Sequence, residues 1–157
     1  MINSALVAMG GKFNSPAAAR LLLGTAAKES NCGSALQQYG GGPACGPFQM
    51  EPWVALDHAS YMRKFAPVWA AAVQRASGVD PTRLSELEMV RQLTGNLLFA
   101  AAMCRIDYWR EKEPLPRVSD TTGLGGYWKR YYNTGLGKGT IGQFVNDLNR
   151  VEVDAYG

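Results

Sequence analysis

The chain has 157 residues and a mass of 17.0 kDa. That is the size of one ordinary domain, able to bury about two-thirds of the surface its unfolded form exposes. Its 46% hydrophobic and 18% charged residues exclude a disordered chain. Sixteen Lys and Arg against thirteen Asp and Glu leave +3, but the basic residues fall in isolated pairs such as Arg63-Lys64 and Lys129-Arg130. A nucleic-acid binder carries a stripe or cluster, so no nucleic-acid partner is expected.

In chain order, Met1 to Leu6 lack a basic stretch ahead of their apolar residues, and no secretory signal is expected. Asn14-Ser15-Pro16 predicts a helix start, with Ser15 as cap and Pro16 at the first helical position. The Ala- and Leu-rich run from Ala17 to about Lys28 continues that helix, which should end near Cys32-Gly33. Gln37 to Met50 is dense in glycine and reads as loops with a short hairpin. Pro52 should open a second helix through Lys64, and Pro67 a third ending near Gly78. Ser85-Glu86-Leu87-Glu88 is a capping box, expected to make a short turn before one long apolar helix from about Val90 to Arg110. Its most apolar run, Leu97 to Cys104, is far short of the roughly 20 residues that span a bilayer. Pro114 and Pro116 force an extended connection. A further helix is expected from about Thr121 to Tyr132, weakened by Gly123, Gly125 and Gly126. After a loop over Gly135 to Gly139, Thr140-Ile141-Gly142-Gln143 forms a second capping box. It starts a terminal helix with Phe144, Leu148 and Val151 on one face. No repeat or linker interrupts this single, mostly helical domain.

Cys32, Cys45 and Cys104 are odd in number and lack CxxC spacing. With the single histidine, His58, they nominally make a Cys₃His set, but the spacings fit no usual zinc module, and neither metal nor cofactor is expected. A Cys32–Cys45 disulfide and free thiols both stay open. Gly135 to Thr140 hints at a phosphate loop and fails twice, with Tyr132 where the first Gly belongs and Gly139 after Lys138 where Ser or Thr is needed. Trp53, Trp69, Trp109 and Trp128 are either core or sugar-stacking surfaces. Trp128 is the better stacking candidate because it lies one helical turn before Tyr132.

Glu29 is the most informative residue. Its helical neighbours are Leu22, Thr25 and Ala26, so the carboxyl continues an apolar stripe. Desolvation there disfavours the ionised form, and so does the negative end of the helix dipole. Both effects hold a proton on a carboxyl near neutral pH, as a general acid requires. Position alone leaves an ordinary solvated glutamate open as the alternative.

Three blocks lie in order: Glu29-Ser30, then Gly46-Pro47-Phe48-Gln49-Met50-Glu51-Pro52, then Tyr131-Tyr132-Asn133-Thr134-Gly135. Together they resemble the catalytic domain of peptidoglycan lytic transglycosylases, with its Glu-Ser helix end, Gly-x-x-Gln block and Ala-Tyr-Asn-Ala-Gly-like block. The variant is similar to bacteriophage cell-wall-degrading proteins. Tyr131 and Thr134 depart from the usual small residues. The resemblance implies a lysozyme-like α+β fold, mainly helical, with the Gly-rich loop or a small hairpin forming one side of a glycan cleft. It implies that Glu29 is the single acid/base cleaving the MurNAc–GlcNAc bond and leaving a 1,6-anhydro product. Gly46, Ser30 and Gln49 would line the cleft, with Ser30 and Gln49 bonding the sugar or orienting Glu29; Phe48 and Met50 would form its apolar wall or pack in the core; and the Tyr132 hydroxyl would bond Glu29 or the N-acetyl group, supported by the Asn133 amide. The implied partners are peptidoglycan glycan strands and other phage virion proteins, with action on the periplasmic cell wall from the virion or the host cell.

Two other readings follow from the same residues. A second carboxylate within about 5–9 Å of Glu29 would make the reaction hydrolytic, as in goose-type lysozymes. Glu51 and Asp57 are the nearby acids in sequence, read respectively as a cap for the Pro52 helix and a solvated helix residue. A virion or glycan-binding module without turnover is the non-enzymatic reading.

Overall fold

Short polar residues and prolines set most of the helix starts. In the computed structural model, which describes residues 1–34, 42–133 and 137–156, Ser15 Oγ accepts the Ala18 N–H at 3.1 Å and Pro16 opens α2, Pro16–Ser30. Pro52 opens α3, Pro52–Phe65, and Pro67 opens α4, Pro67–Ser77. The Ser85–Glu88 capping box forms, but it opens a helix directly, α5, Glu86–Gly95, in place of the short turn expected before Val90. Asp120 caps α7, Thr121–Tyr131, and the Thr140–Gln143 pair caps α8, Ile141–Tyr156, through reciprocal bonds of 3.0 and 3.2 Å. α1, Ile2–Met9, is not among the helices expected and starts without a side-chain cap; its Ala5, Leu6 and Met9 are fully buried.

The long helix expected over 90–110 is two helices. Gly95 ends α5, Asn96 is extended at φ −114° and ψ 94°, and its Oδ1 accepts the Phe99 N–H at 3.1 Å to cap α6, Leu97–Trp109. Asn96 Nδ2 also donates to the Ser77 carbonyl at 3.2 Å, so the break is tied to the end of α4. Apolar continuity across the break conceals it, because α6 is apolar nearly all round. Phe99 to Ile106 are all buried, the pattern of a helix enclosed by others.

α1, α4 and α5 pack on α6, and α3 spans α4 and α5. On the other side α2 packs against α8, and α7 packs against α8 beside it. The α2–α8 crossing is close because residue 24 is glycine. A Cβ there would lie 2.2 Å from the Phe144 ring. Arg20 clamps the far end of the crossing with two bonds to the Glu152 carboxylate, 2.7 and 2.9 Å, and donates to Thr121 Oγ1 at 2.9 Å.

The described residues contain eight α-helices and no strand, and they form one compact, mainly helical domain. The expected hairpin reduces there to one antiparallel bridge, Cys45 with Met50, closed by two 3.2 Å bonds around the Gly46–Gln49 turn. Gln37 to Gly41 and Thr134 to Leu136, parts of the glycine-dense loop and of the third block, lie outside the described residues. None of the described helices is long and apolar enough to cross a membrane.

Candidate functional site

The last turn of α2 carries Glu29 to a place where three parts of the chain meet. Asn31 takes the left-handed conformation (φ 51°, ψ 53°) and stops the helix, with the Cys32 N–H bonding the Ala26 carbonyl at 2.9 Å. Glu29 is partly buried on the core-facing side of that turn. Its Oε1 accepts the indole N–H of Trp128 at 2.9 Å. Trp128 is itself fully buried and stacked on Phe144 at 5.3 Å, which Gly24 and Gly125 admit between α2 and α7. The donor that faces Glu29 is therefore held by the packing of three helices.

Burial pushes the Glu29 carboxyl above its ordinary pKa. Four groups oppose the rise without cancelling it: the Trp128 N–H, the charges of Lys28 and Lys129, and the Asn133 side chain. Lys129 is positioned by two bonds, to Asn133 Oδ1 at 2.8 Å and to the Gly137 carbonyl at 2.7 Å. The result is a carboxyl that keeps its proton more tightly than a surface glutamate and still has a fixed donor for its anion. That pairing is what a group serving as acid and then base needs.

Ser30 is buried. Its Oγ donates to the Pro47 carbonyl at 2.6 Å and accepts the Gly33 N–H at 2.7 Å, stapling the helix end to the Gly46–Gln49 turn. Gly46 has φ +74°, and a Cβ there would lie 2.1 Å from the Leu93 carbonyl oxygen. Only glycine lets the turn lie so close to the end of α5. Gln49, also at positive φ (47°), donates from Nε2 to the Gly46 carbonyl at 2.9 Å and is partly exposed. Phe48 and Met50 are core residues, 1% and 4% exposed.

Tyr132 closes the arrangement from the other side. Its hydroxyl donates to the Phe48 carbonyl at 2.8 Å, so it fastens the turn; the sequence had left Glu29 or substrate as its partner. Its ring stacks on Tyr108 at 5.4 Å, and the Tyr108 hydroxyl pairs with Thr25 Oγ1 at 2.8 Å, one helical turn before Glu29. Glu29, the Gly-x-x-Gln turn, and Tyr132 and Asn133 thus belong to one connected cluster. Of the sequence-derived residues, Ser30, Gly46, Phe48, Met50 and Tyr132 build its frame, and Glu29, Gln49, Tyr132 and Asn133 are partly buried.

Trp128 is a core residue, the first of the two parts the sequence left open, with a further part that the sequence does not show. It is not a stacking surface but the hydrogen-bond donor to Glu29, and its position one turn before Tyr132 was the available signal. Glu51 stands at the start of α3 without a side-chain cap bond; its carboxylate accepts the Trp53 indole N–H instead. Asp57 is exposed and paired with Arg110 at 2.6 Å. His58 is buried, with Nε2 2.6 Å from Asp107 Oδ1 and Nδ1 receiving an Arg110 N–H at 2.7 Å. The three cysteines are free thiols, so Cys32 and Cys45 are not bridged. Among the described residues no three His, Cys, Asp or Glu side chains gather as a metal set.

Comparison with protein-family models, with curated proteins and with solved structures found no match in any of the three. The class defined by fold and site together is a single helical domain with one protected carboxyl beside a stapled turn.

Proposed function

We propose that the protein is a peptidoglycan lytic transglycosylase with Glu29 as its general acid and base. The observation that carries the reading is Glu29 itself: a carboxyl raised by burial, held by the Trp128 N–H, at the junction of the three blocks that resemble that family. In this reading the protonated Glu29 donates to the glycosidic oxygen as the C1–O bond breaks, and the substrate's N-acetyl group shields the developing charge. The Glu29 carboxylate then takes the proton of the muramic C6 hydroxyl as that oxygen closes on C1. The 1,6-anhydro ring forms and no water is consumed. The lysozyme-like fold and a cleft bounded by the Gly46–Gln49 turn belong to the same proposal, as do glycan strands as substrate and a phage particle or infected host as the setting.

Glu29→Gln tests it. The variant should fold and lose nearly all release of soluble fragments from purified sacculi; near-wild-type release sinks the assignment. Mass spectrometry of the fragments then reads the chemistry, with anhydro ends for the lyase and reducing ends for a hydrolase.

A further inference from the structure

One charge of the core lacks a counter-ion. Arg105, near the end of α6, is 3% exposed, and among the described residues no carboxylate pairs with it. Its Nε donates to the Phe13 carbonyl at 2.8 Å, which leaves both terminal amino groups without an acceptor there. Buried arginines are as a rule paired, because an ion taken out of water is costly to leave alone. The guanidinium is nevertheless fixed in place. Its carbon lies 4.7 Å from the centre of the Trp109 ring, and Trp109 packs on Phe13 at 4.8 Å. Burial pushes its pKa down to about 10, with no carboxylate opposing the fall.

Arg105 opens onto a cavity of about 190 Å³ between the end of α6, the connection after it and α7. Tyr108, Trp109, Leu115 and Tyr127 supply its walls, and Glu29 is not among them. The space is that of about six waters, small against the roughly 300–1,000 Å³ of drug-sized sites. Glu111, Lys112 and Glu113 are the exposed, charged part of the lining. Glu113 is taken up by Arg130 at 3.0 Å and by the Tyr131 hydroxyl, and Lys112 offsets Glu111. Acids at the mouth disfavour a dianion such as phosphate, whereas one guanidinium balances one negative charge. A carboxylate also matches the two free amino groups in geometry, accepting two parallel N–H bonds. We propose that this cavity binds a small monocarboxylate, one carboxylate on a compact apolar body, with the terminal amino groups of Arg105 as its donors and the aromatic walls around its body. The acid is a free small molecule or the carboxyl end of a peptide. The site does not depend on the catalytic reading of Glu29.

Thermal melting of the full chain, titrated with sodium benzoate and separately with N-acetylalanine, tests the site. At a concentration a hundredfold above Kd, a bound acid should raise Tm by about 5–10 °C. The neutral amides benzamide and N-acetylalaninamide should not. A rise with benzoate alone assigns a free acid, and one with N-acetylalanine alone a peptide end; either result, or both, supports the site. Arg105→Met replaces an unpaired buried charge with an apolar side chain, so it should fold and lose the rise. If it fails to fold, Leu115→Trp closes the cavity from its wall with the guanidinium intact, and the rise should be lost there. The proposal is overturned by no rise with either acid, or by an equal rise with the amides or with sodium phosphate at the same ionic strength. A rise that survives Arg105→Met, or Leu115→Trp where the first variant does not fold, overturns it equally.

Discussion

Replacing Trp128 with phenylalanine separates the two things that Trp128 does. The ring stack on Phe144 is largely kept, and the N–H that Glu29 Oε1 accepts at 2.9 Å is removed. A hydrogen bond to a charged group contributes about 1.5–3 kcal/mol net, and this one favours the carboxylate over the carboxylic acid. Its loss leaves burial less opposed, so the Glu29 pKa, already raised, moves higher. A general acid works only while protonated, and the rate falls as pH climbs past its pKa. Trp128→Phe should therefore shift the alkaline limb of the pH–rate profile to higher pH. It should also lower the maximal rate, because the anion needed for the second proton transfer has lost its donor. Carbon-13 titration of the Glu29 carboxyl reads the same shift without turnover. The smaller ring in a fully buried site should cost about 1–3 kcal/mol in chemical denaturation. An alkaline limb that stays in place or moves down would refute the role given to Trp128.

Three further outcomes follow from the geometry. Gly46→Ala should destabilise the domain by about 2–4 kcal/mol, from the positive φ and the 2.1 Å approach to the Leu93 carbonyl; a loss under about 1 kcal/mol in urea denaturation would contradict that packing. Glu29 binds its proton more tightly folded than unfolded, so its contribution to stability is complete below the unfolded pKa, near 4.3, and is lost as pH rises through the folded value. Glu29→Gln should therefore melt higher than wild type at neutral pH and lose that advantage below about pH 4, whereas a pH-independent gap counts against a raised carboxyl. Glu152 has the opposite sign: the Arg20 guanidinium lowers its pKa, so its stabilisation is present above the unfolded pKa and lost as pH falls through the folded one. Glu152→Gln should cost about 1 kcal/mol at pH 7, and the difference should shrink on acidification when melting curves are compared.

Local chemistry decided much of this protein from the sequence alone. The caps at Ser15 and Thr140 and the prolines at 16, 52 and 67 act within three or four residues, and those helices begin where these residues predict; the Ser85 box caps a helix at once, where the sequence predicts a short turn before a helix from about Val90. The raised Glu29 pKa was also legible, because the helical spacing of Leu22, Thr25 and Ala26 already assigns that carboxyl to an apolar face. Contacts between residues far apart in the chain were not. Nothing within a few residues of Trp128 says that its N–H points at a glutamate 99 positions away, and nothing near Ser30 or Tyr132 names the carbonyls of Pro47 and Phe48 as their acceptors. Asn96 shows the same limit, since an apolar run on both sides hides a break that its bond to the end of α4 secures. Sequence thus determines where helices start and which faces are apolar, by interactions of a few residues' reach. Tertiary packing alone assigns each buried polar atom its partner, because burial obliges it to find one wherever the fold brings one near.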